Sequence, residues 1–468
     1  MKRRIPLVGL LALLVAALWA PMAQGATKKA PTAPEKTTIL KGYAAPGTPA
    51  KYNKVYVTKF GSAKAKRILV LVPGTSGGAG NFTLVAREIV KKVPGLAVWS
   101  IDRRSQALED TSAFRKLLAG KATEQQTIDY YLGKAINYVT GQPVPADVYQ
   151  PVKDADVPFA RDWGLKVSLE DIRIVVKAAK KGGHKVLLGG HSLGGSTVTD
   201  YAVWDFNGQA GWKDLSGLVL IDGGTGGTGS TLPDITKIQT SLDAIKNGSP
   251  WLDLLNVGLP WATGVFAELG AIPARLNPTG ASAVATIALL PASFKPGFPV
   301  TNRGQLGFAF DETTSPTALG LIHTRSGTLG TSDGTSLADW KNGEVTPIEN
   351  VALSFGQEPT NGAEWYFPKR LSLDTGAMSG LEPNAVTELL GLRPKYARDV
   401  KLPVYAIQTS LSQGRLKAST ASFVAMNKSK LTFVDASTTN SHLDPLLAAP
   451  KTSAFLKSVI PWLKKNGK

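Results

Sequence analysis

The sequence predicts an α/β protein: a mostly parallel central sheet with helices on both faces and a large cap insertion. Three observations predict it. Between residues 54 and 224, short continuously apolar runs alternate with amphipathic stretches of helical period, the pattern of strands buried on both faces and separated by helices. The alternation stops at 225 and resumes at 402, so the intervening chain reads as an insertion into one sheet. Finally, 468 residues with 43% hydrophobic and 19% charged side chains suffice for a sizeable core.

Taken in order, residues 26–53 are rich in Pro, Ala, Lys and Thr and read as a flexible arm. "KVYVTKF" (54–60) alternates like an edge strand, and "RILVLVP" (67–73) is a buried strand. The loop "GTSGGAGN" and the helix "FTLVAREIVKKV" follow, then the buried strand "LAVWSID" (96–102). "TEQQTIDYYLGKAINYV" has helical character within the less regular stretch 106–167. Ser168, with Asp171 three residues on, predicts a capping box. The helix it opens has Leu169, Ile172, Val175, Val176 and Ala179 as its apolar face and Gly182 as its stop. "KVLLGG", a helix after Ser192 and "LSGLVLIDGG" (215–224) complete the first part of the sheet domain. "LPVYAIQTS" (402–410), a helix near 417–429, "KLTFVDA" (430–436) and a last helix complete the second. The sheet domain is therefore 54–224 with 400–468, and 225–399 is the cap. The cap carries Trp251, Trp261, Trp340 and Trp365, which serve equally well as its own core or as a binding wall.

Residues 1–25 stand apart. "MKRR", the apolar run "IPLVGLLALLVAALWA" and the small residues of "PMAQGA" read as a signal peptide, with a membrane anchor as the competing reading. Export is thus expected. The chain has no cysteine, which excludes disulfides and thiolate chemistry. The formal charge is +18, and losing Lys2, Arg3 and Arg4 with the leader lowers it to about +15. That balance suits an anionic cell-envelope surface. The lysines are scattered, with no basic helix or stacking-aromatic motif, so no nucleic-acid partner is expected. Four separated histidines make a poor metal-ligand set, and neither metal nor cofactor is expected.

Three serines lie in G-x-S-x-G matches: Ser76, Ser192 and Ser332. A nucleophilic serine needs a sharp strand-turn-helix that thrusts its hydroxyl outward. Ser332 has no strand before it, and loop separates Ser76 from its helix. Ser192 alone has a strand directly before it and a helix directly after, with Gly190 and Gly194 for the tight turn. Its hydroxyl needs a base. His184 lies at the opposite end of the sheet, the side chain of His191 should point away from the hydroxyl, and His323 reads as structural. His442 follows the last strand, at the sheet edge where Ser192 emerges, and is the candidate base. The acid that orients it is Asp222, at the end of "LVLID", with Asp435 as the alternative; Asp444 reads as a cap. Oxyanion donors are expected from the N–H groups of Leu193 and Thr75. The loop "GTSGGAG" lacks the G-K-[ST] ending of a nucleotide cradle.

Ser192, Asp222 and His442, in that chain order, resemble the triad of the α/β-hydrolase superfamily. "GHSLGG" resembles the nucleophile elbow of lipases and esterases, "PGTSGG" the oxyanion loop, and "IDRRSQ" the Asp-x-Arg-Gly segment, with Arg104 in place of glycine. In most members the acid follows the strand equivalent to "LPVYAIQTS", but "QTSLSQGRLK" holds no carboxylate. Some lipase-like members place it one strand earlier, where Asp222 lies. The resemblance implies an exported serine hydrolase acting on small-molecule or lipid-like esters through an acyl-enzyme. A cell-envelope acyltransferase, a peptidase of the same fold and a non-catalytic wall-associated binding protein are the alternatives.

Overall fold

The computed structural model describes residues 35–140, 143, 146–224, 231–287 and 289–466. The expected leader, the first residues of the expected arm and the loop 225–230 lie outside them. The strands are β1 (Glu35–Lys41), β2 (Lys54–Phe60), β3 (Arg67–Val72), β4 (Leu96–Asp102), β5 (Lys185–His191), β6 (Gly217–Ile221), β7 (Gly327–Leu329), β8 (Trp340–Asn342), β9 (Pro403–Gln408) and β10 (Lys430–Asp435). The helices are α1 (Thr83–Lys92), α2 (Ser112–Leu118), α3 (Glu124–Thr140), α4 (Leu165–Lys180), α5 (Leu193–Val203), α6 (Ile235–Asn247), α7 (Ala262–Leu276), α8 (Asn302–Phe310), α9 (Ile348–Phe355), α10 (Lys369–Ala377), α11 (Ala385–Leu390), α12 (Arg415–Ala425), α13 (Asp444–Leu447) and α14 (Ala454–Asn466).

Eight strands form one sheet in the order β1-β2-β4-β3-β5-β6-β9-β10, while β7 and β8 pair apart. β1 is antiparallel to β2 and β2 to β4; the other neighbours are parallel. β3 shows why the apolar runs are continuous. Ile68, Val70 and Val72 pack on one face with α4 and α5, and Leu69 and Leu71 pack on the other with α1 and α14. β6 and β9 are neighbours, so the chain leaves the sheet and returns beside the strand it left.

Four expectations need correction. The arm is not loose over its whole length: Glu35–Lys41 is a strand, and β2 is therefore not the edge. "EKTTILK" reads as polar because an edge strand is half solvated; its Thr37 hydroxyl bonds those of Thr58 (3.0 Å) and Thr360 (3.2 Å). The Ser168 capping box does not form. α4 begins at Leu165, whose N–H donates to Asp374 of α10 (2.9 Å), while Asp171 is taken by Arg104 (2.8 and 2.9 Å) and the Tyr43 N–H (2.8 Å). The cap is not confined to 225–399. Phe114, Tyr131, Tyr149 and Trp163 share one apolar cluster with Trp251, Trp261, Leu269 and Trp365. Conversely, α10 and α11 pack in the same layer as α4 and α5, so the end of the inserted segment belongs to the sheet domain.

Candidate active site

Ser192 sits between β5 and α5 with φ 56° and ψ −128°, a left-handed conformation that costs a non-glycine residue on the order of 1–3 kcal/mol. Three bonds hold it there: its N–H donates to the Ile221 carbonyl (2.9 Å), and its carbonyl accepts from the N–H groups of Gly195 (2.8 Å) and Ser196 (3.4 Å). A Cβ on Gly190 would strike the Gly194 carbonyl, which is why the turn can be this tight only with glycine. Serine at a helix N-cap ordinarily bonds the first turn. Ser192 occupies that position, yet its hydroxyl caps nothing.

Asp222 follows β6 with φ 48° and is 3% exposed. Its Oδ2 accepts from Nδ1 of His442 at 2.5 Å. The loop that carries no acid of its own, 409–412, supplies donors instead. The Thr409 N–H bonds Oδ1 (2.6 Å), and the hydroxyls of Thr409 and Ser412 bond Oδ2 and Oδ1. Burial pushes this carboxyl up, but the bonds from His442, Ser412 and Thr409 outweigh it and hold it below the usual carboxylate range. With Nδ1 donating to Asp222, Nε2 of the neutral His442 ring is left as the basic nitrogen.

The loop of His442 is fixed from three sides. Asp444 accepts from the Ser441 N–H (2.7 Å), the Leu443 N–H donates to His323 O (3.0 Å), and Nε2 of His191 donates to His442 O (2.9 Å). The His191 and His442 rings lie 4.3 Å apart between centroids. His191 lines the cavity too, and its Nε2 is spent on a carbonyl. Burial, with the neighbouring His442 ring, pushes His191 down to about 3. The unfolded chain takes up that proton near 6.5 and the folded chain does not. Stability therefore falls as pH drops from about 6.5 towards about 3. Replacing His191 by glutamine, which can still donate to the carbonyl, should flatten this acid slope by about one proton. Denaturant unfolding at a series of pH values measures it, and an unchanged slope would contradict the assignment.

Ser192 and His442 line the same cavity. Among the described residues no hydrogen bond joins them, the loose state common for catalytic groups without substrate. The other candidates lie elsewhere or are spent. The Ser332 hydroxyl donates to Ser336 O (2.9 Å), and ring nitrogens of His184 and His323 bond the carbonyls of Ala179 (3.2 Å) and Pro316 (3.1 Å). Asp435 is exposed and bonds Ser437, so it does not hold His442. Ser76 lines the cavity, with φ 50°, as part of the glycine-rich loop.

Among the described residues, neither the Leu193 nor the Thr75 N–H donates to another protein atom. Leu193 is the first residue of α5, where no intrahelical acceptor exists. Its side chain packs against the core rather than lining the cavity, whereas Thr75 lines it. Arg103, whose role sequence reasoning missed, braces this loop. Its guanidinium donates to the carbonyls of Pro73 (2.5 Å) and Gly74 (3.1 Å) and pairs with buried Glu364 (2.7 Å). The Glu364 N–H in turn donates to Ser76 O (2.9 Å). The "IDRRSQ" segment was the available signal. Gly74 passes so close to Ser192 that a Cβ there would lie 2.8 Å from that of the serine. Gly74→Ala should therefore displace the loop and lower kcat by about 10²–10³, the worth of one oxyanion donor, while the protein stays folded. Steady-state rates beside a melting curve check this.

The cavity holds about 1000 Å³ of space, its open mouth included. Leu254, Leu255, Phe266, Phe294, Leu319 and Phe355 are among its walls, and among the described residues no tryptophan lines it. Trp251, Trp261, Trp340 and Trp365 are buried core, which decides between their two readings.

A family model described as the alpha/beta hydrolase family matches residues 69–370. No curated protein matches the chain. Among solved structures, epoxide hydrolase A from Mycobacterium thermoresistibile is 11% identical, with 92% of this chain and 99% of that chain covered and a TM-score of 0.43. A highly thermostable carboxyl esterase from Bacillus coagulans is 12% identical, with 93% and 100% covered and a TM-score of 0.39. Paleococcus ferrophilus monoacylglycerol lipase is 13% identical, with 88% and 99% covered and a TM-score of 0.38. None of these likenesses reaches a TM-score of 0.5.

Proposed function

The chain belongs to the alpha/beta hydrolase family, and from that premise we propose that it is an exported serine hydrolase cleaving carboxylic esters through an acyl-enzyme on Ser192. One observation carries the reading: an uncapped serine hydroxyl and an Asp-held imidazole open into the same apolar cavity. In this mechanism His442 Nε2 takes the Ser192 proton as Oγ attacks the ester carbonyl. The N–H groups of Leu193 and Thr75 receive the oxyanion. The proton then passes to the leaving alcohol, and water, activated by the same nitrogen, releases the acid. Asp222 keeps the ring in its Nε2-basic form and stabilises the imidazolium.

The cavity favours esters over peptides. Among the described residues its lining has no Asp or Glu to hold a substrate amine. An acyltransferase would share every group named, with an acceptor alcohol in place of water. Export rests on the leader-like residues 1–25. A fluorophosphonate should label the mature protein at Ser192, and a panel of esters of graded chain length should be turned over. Absence of both would end the proposal. Product analysis with an added alcohol separates hydrolysis from transfer.

A further inference from the structure

The geometry points to a substrate that carries a hydroxyl on its apolar portion, recognised in the cavity by the side-chain oxygen of Gln305. This rests on the ester-hydrolase reading and narrows its substrate class.

Gln305 is a polar residue in a mostly apolar wall, on α8 and 2% exposed. Its amide orientation is fixed by chemistry. Nε2 donates to the Phe294 carbonyl at 2.6 Å, and a carbonyl can only accept. The nitrogen must therefore face Phe294, and Oε1 is the atom left over. That oxygen is buried and has no hydrogen-bond partner. Thr263, on α7, repeats the situation: it lines the same cavity, and its buried hydroxyl has no partner. Asn81, by contrast, is engaged, its Oδ1 accepting from Ser354 (2.9 Å).

An acceptor buried without a donor is unfavourable, so a ligand that brings the donor is favoured over one that does not. The chemistry of that donor is restricted. An ammonium would need a counter-charge, and among the described residues the lining has no carboxylate. An anion would be repelled by the amide oxygen. A neutral hydroxyl fits, since it can donate to Gln305 without bringing a charge. Gln305 and Thr263 come from inserted helices, whereas Ser192 and His442 come from the sheet edge. The hydroxyl therefore belongs to the body of the substrate, not to the scissile group. Sites built to pair with a hydroxyl reject its deoxy analogue by factors up to about 10⁴–10⁵.

The test is the ratio of kcat/KM for hydroxylated and plain substrates. Nitrophenyl decanoate is compared with esters whose acyl chain bears one hydroxyl near the carbonyl, at mid-chain or at the end. A second series places the hydroxyl on a long-chain alcohol. The wild type should prefer at least one hydroxylated isomer by about tenfold or more, and Gln305→Leu should bring that ratio close to one. Loss of the Phe294 contact alone would change all rates together and leave the ratio standing. No favoured isomer in the wild type, as expected if an ordered water satisfies Oε1, overturns the inference; so does a preference that survives in the variant. If Gln305→Leu does not fold, the wild-type ratio and the same ratio in Thr263→Val decide: a hydroxyl preference weakened in Thr263→Val supports the inference, and an unaltered one overturns it. Esters turned over without preference sink this inference alone. No turnover and no fluorophosphonate labelling sink the parent reading with it.

Discussion

Ser192→Ala is expected to lower ester turnover by about 10⁶, the loss seen when the nucleophile is removed from a triad that works as a unit. His442→Ala should lose nearly as much, because neither group does its work without the other. The expectation is sharp because the hydroxyl of Ser192 makes no other contribution: it caps no helix and, among the described residues, bonds no neighbour. Removing it should leave the melting temperature essentially unchanged, so lost activity cannot be ascribed to lost fold. The measurement is kcat on the best ester of the panel, beside fluorophosphonate labelling. A near-wild-type rate in either variant, or labelling that persists in Ser192→Ala, would remove that residue from the mechanism.

Asp222→Asn should cost about 10⁴ in kcat, and the hydrogen bonds around the carboxylate say why. Oδ1 faces the Thr409 N–H, which can only donate, so an asparagine must keep its oxygen there. Its amide nitrogen then faces His442. The Thr409 and Ser412 hydroxyls can rotate to accommodate the change. The imidazole cannot, and must present an unprotonated Nδ1, which places the proton on Nε2 and leaves no base for Ser192. Asp435→Asn, at an exposed position bonded to Ser437 of its own loop and Gln408 at the end of β9, should turn over esters at close to the wild-type rate. Rates for the two variants compared side by side separate the two acids. Equal losses would contradict the geometry.

The parallel strands were legible because a strand buried on both faces is apolar over most of its length, as β3 is from Ile68 to Val72 and β4 from Leu96 to Trp99. β1 was not, since its outer edge faces water and its composition matches a linker. Ser192 was legible because a left-handed turn between strand and helix demands glycines on either side. The meeting of Asp222 with His442 followed from both lying just past strand ends at one sheet edge. What surrounds them was hidden. The bonds from Thr409 and Ser412 come from a loop conspicuous only for its missing carboxylate. The bracing by Arg103 depends on carbonyl directions that no residue pattern encodes. The pairing of Phe114 and Tyr131 with Trp365 was equally invisible, because aromatic side chains do not specify their partners in sequence.

The interlocking of that aromatic cluster limits how the substrate chamber can be exchanged. β6 and β9 lie side by side, which invites grafting a foreign covering between them as one cassette. Such a graft would strand Phe114, Tyr131 and Tyr149, which come from before Ser192 in the chain, without the tryptophans they pack on. It would also strip α4 and α5 of α10, if cut at the point where the strand rhythm resumes. A working chimaera must carry two lengths of donor chain and close its downstream seam ahead of Phe367, so altered specificity in this scaffold is a two-piece transplant.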